Sequence, residues 1–114
     1  MHNYKELKIW KKAVLLATDT YKATSTYPKS ELYGITSQMR RCAVSISSNI
    51  AEGAGRSTYK DFVHFLHIAN GSSYELETQL IISKNLGYLH VNKFDLLIDS
   101  LVEIQKMLYT LIKN

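Results

Sequence analysis

The chain has 114 residues, of which 46% are hydrophobic and 21% charged, and its formal net charge is +4. This length predicts one domain over residues 1–114, and the composition is that of a soluble globular protein. The longest strongly apolar run, Ala13 to Ala17, is too short to cross a bilayer, which excludes a membrane-spanning protein. The N-terminus has neither an apolar h-region nor a cleavage site, so we expect a cytoplasmic protein.

Positive charge is concentrated in the front of the chain. Residues 1–60 contain ten Lys or Arg against four acids, whereas residues 61–114 contain four against six. Such asymmetry is typical of proteins that bind an anionic partner. Lysines that only keep an exposed face soluble would give the same pattern, and composition does not separate the two interpretations.

The first predicted element is a helix of about five turns that ends before Pro28. Its predicted core stripe follows steps of three and four residues and consists of Leu7, Trp10, Val14, Ala17 and Tyr21. A second helix is predicted from near Thr36, with Gly53 and Gly55 as its terminators. Its stripe consists of Met39, Ala43, Ile46 and Ile50.

Two further helices complete the pattern. The third is predicted to end at Gly87, and its stripe consists of Phe62, Phe65, Ala69, Leu76, Leu80 and Ser83. The last follows Val91, and its stripe consists of Phe94, Leu97, Leu101, Ile104, Leu108 and Leu111. No segment alternates like a strand. Four helices with short loops predict an all-α fold, an antiparallel up-down-up-down four-helix bundle.

Polar residues follow one flank of the second and third helices at steps of three and four, which predicts a partly buried polar seam between them. The seam consists of Gln38, Arg41, Ser45, Asn49, Glu52 and Arg56 on one side and Lys60, His64, His67, Gly71 and Glu75 on the other. Antiparallel pairing predicts that Ser45 opposes Gly71-Ser72 and that Arg41 reaches Glu75. It also brings Glu52 within reach of at least one of Arg56, Lys60 and His64.

The second helix also carries a stretch without charge, Cys42 to Ala51. A helix that lacks a charged face is usually covered on all sides, which predicts self-association. The proposed contact surface consists of Ser37, Val44, Ser48, Ala51 and Gly55 on the second helix and Ile98, Val102 and Tyr109 on the fourth. Two such unlike surfaces would meet head to tail and close into a ring.

No catalytic or cofactor motif is present. His64 and His67 lie three residues apart, but no Glu-x-x-His occurs, so neither a metal site nor another cofactor is expected. Gly53-Ala54-Gly55 lacks the strand and the Gly-Lys-Ser/Thr of a phosphate loop. The only cysteine, Cys42, lies among apolar residues and is interpreted as a buried hydrophobe rather than a reactive thiol. We therefore do not expect an enzyme.

Three segments together resemble one family. They are Tyr33-Gly34-Ile35-Thr36-Ser37-Gln38-Met39-Arg40-Arg41, Ser48-Asn49-Ile50-Ala51-Glu52-Gly53 with Arg56, and Ala69-Asn70-Gly71-Ser72 with Glu75-Leu76-Glu77. The chain resembles the 23S rRNA-intervening-sequence proteins over nearly its whole length. One position departs from that pattern, since Ser47 stands where the family commonly has proline, and this puts a proline kink in doubt.

The resemblance implies a bacterial four-helix bundle, often a ring of subunits, whose role is poorly defined. It also implies the number five for the ring. A similar fold serves as the basic accessory protein of diversity-generating retroelements, which binds nucleic acid and a reverse transcriptase.

Two functions of different classes follow. The first is weak binding of RNA or DNA without sequence specificity, through the phosphate backbone. Its candidate residues are Lys5, Lys8, Lys12, Arg40, Arg41 and Arg56. The second is a structural or protein-interaction scaffold, for example an accessory subunit of a reverse transcriptase or of a ribonucleoprotein.

Overall fold

A computed structural model describes residues 2–113 of the chain. Its four α-helices are α1 (Lys8–Thr24), α2 (Ser37–Ala54), α3 (Tyr59–Asn85) and α4 (Val91–Lys113). A 3₁₀ turn, Tyr4–Glu6, precedes α1, and a second one, Lys29–Glu31, is followed by a single π-type turn, Leu32–Thr36, that leads into α2. The described residues contain no strand, which confirms the all-α prediction.

Cross-helix contacts show that neighbouring helices run antiparallel. Ser45 of α2 lies beside Ser72 of α3, and the earlier Met39 lies beside the later Ser83. Tyr59 at the start of α3 donates to the carbonyl of Leu111 near the end of α4. Helix α1 contacts both α2 and α4, so the helices follow each other around the bundle in chain order, with α2 diagonal to α4.

The core lies along the centre of the bundle and is aliphatic. Its largest fully buried apolar side chains are Leu16, Met39, Ile46, Ile50, Leu66, Leu76, Leu80, Leu101, Ile104 and Leu108. The stripes predicted for α2, α3 and α4 face it, with Phe65, Phe94 and Leu111 half-buried at its margins.

The stripe predicted for α1 is not its most buried face, although Ala17 is buried and Leu7 and Trp10 pack half-buried against the core. Helix α1 instead buries Ile9, Ala13 and Leu16, while Tyr21 is exposed. Each of these three buried residues lies one position before a member of the predicted stripe, so the most buried face of α1 is displaced by one residue around the helix.

Gly53 does not terminate α2, which continues to Ala54. It lies within the helix and allows α3 to pack closely against α2. A methyl group on Gly53 would lie 2.8 Å from Cβ of Phe65 and 3.1 Å from the carbonyl oxygen of Phe62. Gly71, which antiparallel pairing places opposite Ser45, marks no close approach of the two helices, since a methyl group there would meet nothing within 4 Å. The buried Ser47 donates to the carbonyl of Val44, 3.0 Å away, and α2 continues past it.

Candidate interaction surfaces

Three of the six candidate basic residues are held by other side chains. Lys12 pairs with Glu103 at 2.8 Å. Arg56 pairs with Glu52 at 3.1 Å, and its guanidinium also lies over the Phe65 ring, 4.6 Å from the centroid. Because these charges are partly neutralised within the chain, less of the front-half charge reaches solvent than its sequence suggests.

Arg40, on α2, is the third of these residues, and its side chain contacts the end of α1. Its Nε donates to Oγ1 of Thr24 at 2.9 Å, and its Nη2 to the Tyr21 carbonyl at 3.4 Å. The guanidinium also stacks over the Tyr21 ring, 4.7 Å from the centroid. Arg40 is therefore half-buried rather than presented on an outer face.

The other three candidates, Lys5, Lys8 and Arg41, are exposed. Among residues 2–113, no carboxylate pairs with any of them within 4.0 Å. Lys5 lies in the 3₁₀ turn before α1 and Lys8 is the first residue of α1, whereas Arg41 lies on the outer side of α2.

The predicted seam has the expected register. Ser45 and Ser72 share a hydrogen bond of 2.9 Å, and Asn49 donates to Ser45 Oγ at 3.0 Å. Glu52 is within reach of Arg56, as predicted, but forms no ion pair with Lys60 or His64 among the described residues.

The seam is not buried as predicted, because it lies on the outer edge of the α2–α3 groove. Only Ser45 and Asn49 are half-buried. The exposed members are Gln38, Arg41, Glu52, Arg56, Lys60, His64, His67, Gly71 and Glu75.

The predicted Arg41–Glu75 ion pair is absent from the described residues. Glu75 Oε2 instead accepts a hydrogen bond from the Cys42 thiol at 3.4 Å. Burial and this carboxylate raise the pKa of Cys42 to about 11, so the thiol stays protonated at neutral pH. This agrees with a buried, unreactive cysteine.

The predicted contact surface on α2 faces outward. Val44, Ser48 and Gly55 are exposed, and Ser37 and Ala51 are half-buried. Its proposed complement lies on α4, diagonally across the bundle, where Tyr109 is 66% exposed and Ile98 and Val102 are half-buried.

Two residues of α3 extend this apolar surface and were missed from the sequence. Gln105 donates to Glu77 at 2.9 Å, which sets the antiparallel register between α3 and α4. Counting along the two helices from this pair places Ile81 level with Val102 and Tyr74 level with Tyr109. Tyr74 is 56% exposed and Ile81 is 41% exposed. Their seven-residue spacing outside the core stripe was the signal that could have found them. The α3–α4 face is defined here as Tyr74, Ile81, Ile98, Val102 and Tyr109.

Other kinds of site have little support. Within residues 2–113, no group of three or more His, Cys, Asp or Glu side chains is arranged to hold a metal ion. No helix over the same residues combines the length and apolar character that a membrane span requires.

Comparison with known families agrees with the bundle and its motifs. The family described as 23S rRNA-intervening sequence protein matches residues 5–110. The chain belongs to this family. The match covers all four helices and every candidate residue named above.

Among solved structures, the fold is similar to a protein of unknown function from the S23 ribosomal protein family of Bacteroides thetaiotaomicron. The TM-score is 0.84 at 24% sequence identity, and the similarity covers 93% of this chain and 99% of that one. At this identity the similarity shows a shared fold. Comparison with curated proteins gives no match.

Proposed function

We propose that the chain is a non-enzymatic scaffold that assembles with copies of itself. The observation that carries this proposal is the α3–α4 face, where two exposed tyrosines and three aliphatic side chains lie on adjacent helices. Contiguous apolar surface of this kind marks interaction sites in otherwise monomeric domains. Tyrosine is also among the residue types enriched at protein interfaces.

The geometry favours a head-to-tail contact. The outward surface of α2 is smooth and uncharged at Val44 and Ser48, and it lies on a different side of the bundle from the α3–α4 face. A contact between two unlike surfaces repeats from copy to copy and closes into a ring when the rotation allows. The resemblance to the family supplies the number five. A stable contact would have to bury more than roughly 1,000 Å².

Light scattering across micromolar concentrations tests the assembly. We expect a mass of several times the chain's 13.0 kDa, and of five times that mass for a pentamer. Combining Tyr74→Glu with Tyr109→Glu should shift the mass toward a single chain while the helical circular dichroism is retained. Charges placed within an apolar contact are costly to desolvate.

Leu15→Glu is the matched control, because Leu15 is 62% exposed on α1 and lies outside the α3–α4 face. It should leave the mass unchanged. A single-chain mass for the unmodified protein would contradict self-assembly. A dimer or tetramer would contradict only the number five.

Binding of nucleic acid is the second candidate function, and exposed Lys5, Lys8 and Arg41 support it. Lysines and arginines that are not neutralised by carboxylates can contact phosphates, and a ring would bring several copies of each to one surface. Such binding would be weak, indifferent to sequence and steeply reduced by salt.

Titration of labelled RNA and DNA at several salt concentrations tests this candidate. The triple variant Lys5→Gln, Lys8→Gln and Arg41→Gln should weaken binding and flatten the salt slope by about 0.9 for each lost phosphate contact. The control is a triple Gln variant on α4 that removes the same amount of charge from a different helix, at Lys93, Lys106 and Lys113. An absence of binding at about 50 mM salt would leave the scaffold alone.

A scaffold could also hold a different protein, such as a reverse transcriptase or another ribonucleoprotein subunit. The same α3–α4 face would then be covered by that partner instead of by a second copy. The light-scattering result separates these two forms of the scaffold, since only self-assembly raises the mass of the purified chain.

A further inference from the structure

A small cleft opens where α1 ends and α2 begins. Its volume is about 120 Å³. Its polar side chains are Thr24, Ser25, Tyr27, Lys29, Thr36 and Arg40, and Pro28 and Leu32 complete the lining. None of the functions proposed above uses the cleft itself.

Arg40 brings an uncompensated positive charge to this cleft. Its guanidinium is half-buried, and no carboxylate within residues 2–113 pairs with it inside 4.0 Å. The nearby loop carboxylate, Glu31, instead accepts a hydrogen bond of 2.9 Å from Tyr88 on the loop after α3. A guanidinium has five donor hydrogens, of which hydrogen bonds to Thr24 and Tyr21 use two. Cations removed from water are normally paired, so an anion is the missing partner.

Thr36 supplies the second, independent observation. Its side chain is only 3% exposed, and its hydroxyl has no hydrogen-bond partner in the described structure. The buried hydroxyls of Thr20 and Thr24 each donate to the carbonyl four residues earlier. Thr36 lies at the end of the π-type turn, where that bond is absent. A buried hydroxyl without a partner is unfavourable and is uncommon in native structures.

We propose that this cleft binds one phosphate group. Arg40 and the Thr36 hydroxyl are donors of the kind that phosphate oxygens accept, and exposed Lys29 adds charge at the rim. The volume of about 120 Å³ is well above the roughly 10–15 Å³ that a single water requires, which leaves room for one tetrahedral anion. The inference does not rest on the proposed assembly or on the exposed lysines of α1.

The two helix ends beside the cleft have opposite electrostatic effects on an anion bound there. The N-terminal end of α2 attracts negative charge, whereas the C-terminal end of α1 repels it. Arg40 and Ser25 already donate to two carbonyls at the end of α1, those of Tyr21 and Lys22. These bonds reduce the opposing field, so the guanidinium and the start of α2 set the sign of the potential in the cleft.

Titration of the purified chain with inorganic phosphate tests the proposal, with chloride used to hold the ionic strength constant. We expect a saturable rise in melting temperature and saturable NMR shifts at the Thr36 amide and the Arg40 Nε–H. Arg40→Gln and Thr36→Val should each weaken phosphate binding by about tenfold or more, because each removes a donor from a desolvated site.

Arg41→Gln is the matched control, since it removes the same charge from the neighbouring exposed residue. It should leave phosphate affinity within about twofold, because exposed charges interact weakly through water. Arg40→Gln also loses contacts to the end of α1 and can destabilise the fold. Thr36→Val loses only an unpartnered hydroxyl and keeps the test decisive. The proposal is overturned if phosphate gives no saturable response, if Thr36→Val binds as tightly as the unmodified chain, or if Arg41→Gln weakens binding as much as Arg40→Gln.

The source of the phosphate is decided with oligonucleotides of one sequence that carry either a 5′-phosphate or a 5′-hydroxyl. Tighter binding of the phosphorylated strand, lost in Thr36→Val, would assign the cleft to a nucleic-acid end. Equal binding of both strands, together with saturable binding of inorganic phosphate, would assign it to a free phosphate compound. Either result supports a phosphate site, and neither depends on Lys5 and Lys8, so this proposal and the nucleic-acid proposal can fail separately.

Discussion

The α2–α3 pair and the α1–α4 pair are joined in different ways. Between α2 and α3, Gly53 packs directly against α3, and Ser45 bonds to Ser72 at 2.9 Å. Between α1 and α4, clefts of about 280, 140 and 210 Å³ open along the groove, and Lys12 bridges it to Glu103 at 2.8 Å. Small side chains let two helices meet closely, whereas long side chains hold two helices apart and leave surface clefts.

The largest expected effect comes from filling the close contact at Gly53. In Gly53→Ala, the new methyl group would lie 2.8 Å from Cβ of Phe65, an atom that cannot move without its backbone. Overpacking typically costs about 1–3 kcal/mol, and the better helix propensity of Ala returns at most about 1 kcal/mol. We expect a net loss of about 1–2 kcal/mol in the free energy of unfolding, measured by urea denaturation.

Gly71→Ala is the matched control on the facing helix, where a methyl group meets nothing within 4 Å. Only helix propensity then changes, so the variant should be more stable by up to about 1 kcal/mol. Opposite signs for the two substitutions would confirm that Gly53 alone marks the close contact. A loss of stability in both variants would show that the outer edge of α3 is also packed, as in a contact between subunits.

The sequence was sufficient to predict the four helices and three of their buried stripes. Regular steps of three and four residues in α2, α3 and α4 leave one apolar side each. In α1, however, apolar residues occur on two sides, and Ile9, Ala13 and Leu16 are spaced like Trp10, Val14 and Ala17. Helical spacing cannot choose between two such stripes, since tertiary packing makes the choice.

The candidate surfaces were predictable only in part. Polar spacing gave the register of Ser45 with Ser72, but it could not show that most of the seam lies outside the groove. A glycine in close contact and a glycine in open space look identical in a sequence. The cleft at Arg40 and Thr36 depends on the π-type turn before α2, and a local distortion of this kind has no reliable signature in one sequence.

A smaller effect is expected at the polar contact between α2 and α3. Ser45→Ala removes the bond to Ser72 and one of the two bonds from Asn49. Losing half-buried hydrogen bonds of this type should cost about 1 kcal/mol. Ser48→Ala, on the exposed side of α2, makes the same change in helix propensity and is the control. If the two variants unfold at the same urea concentration, the Ser45–Ser72 bond does not stabilise the pair.

The smallest effect is expected at the ion pair between α1 and α4, because the side chains of Lys12 and Glu103 are 35% and 55% exposed and water screens their attraction. Lys12 donates to the Glu103 carboxylate and lowers its pKa below the ordinary 4.5, and Lys8 adds to the shift. A carboxyl whose pKa is depressed by folding stabilises the protein above its unfolded pKa, and that contribution is lost as the pH falls through the folded value.

Glu103→Gln should therefore be slightly less stable than the unmodified chain at neutral pH and equal to it in acid below the folded pKa. Urea denaturation at both pH values measures the difference, and added salt should reduce it at neutral pH. A difference that is the same at both pH values would mean that Glu103 acts through packing and not through its charge. The contact between α1 and α4 would then depend on side-chain packing, as the contact between α2 and α3 does.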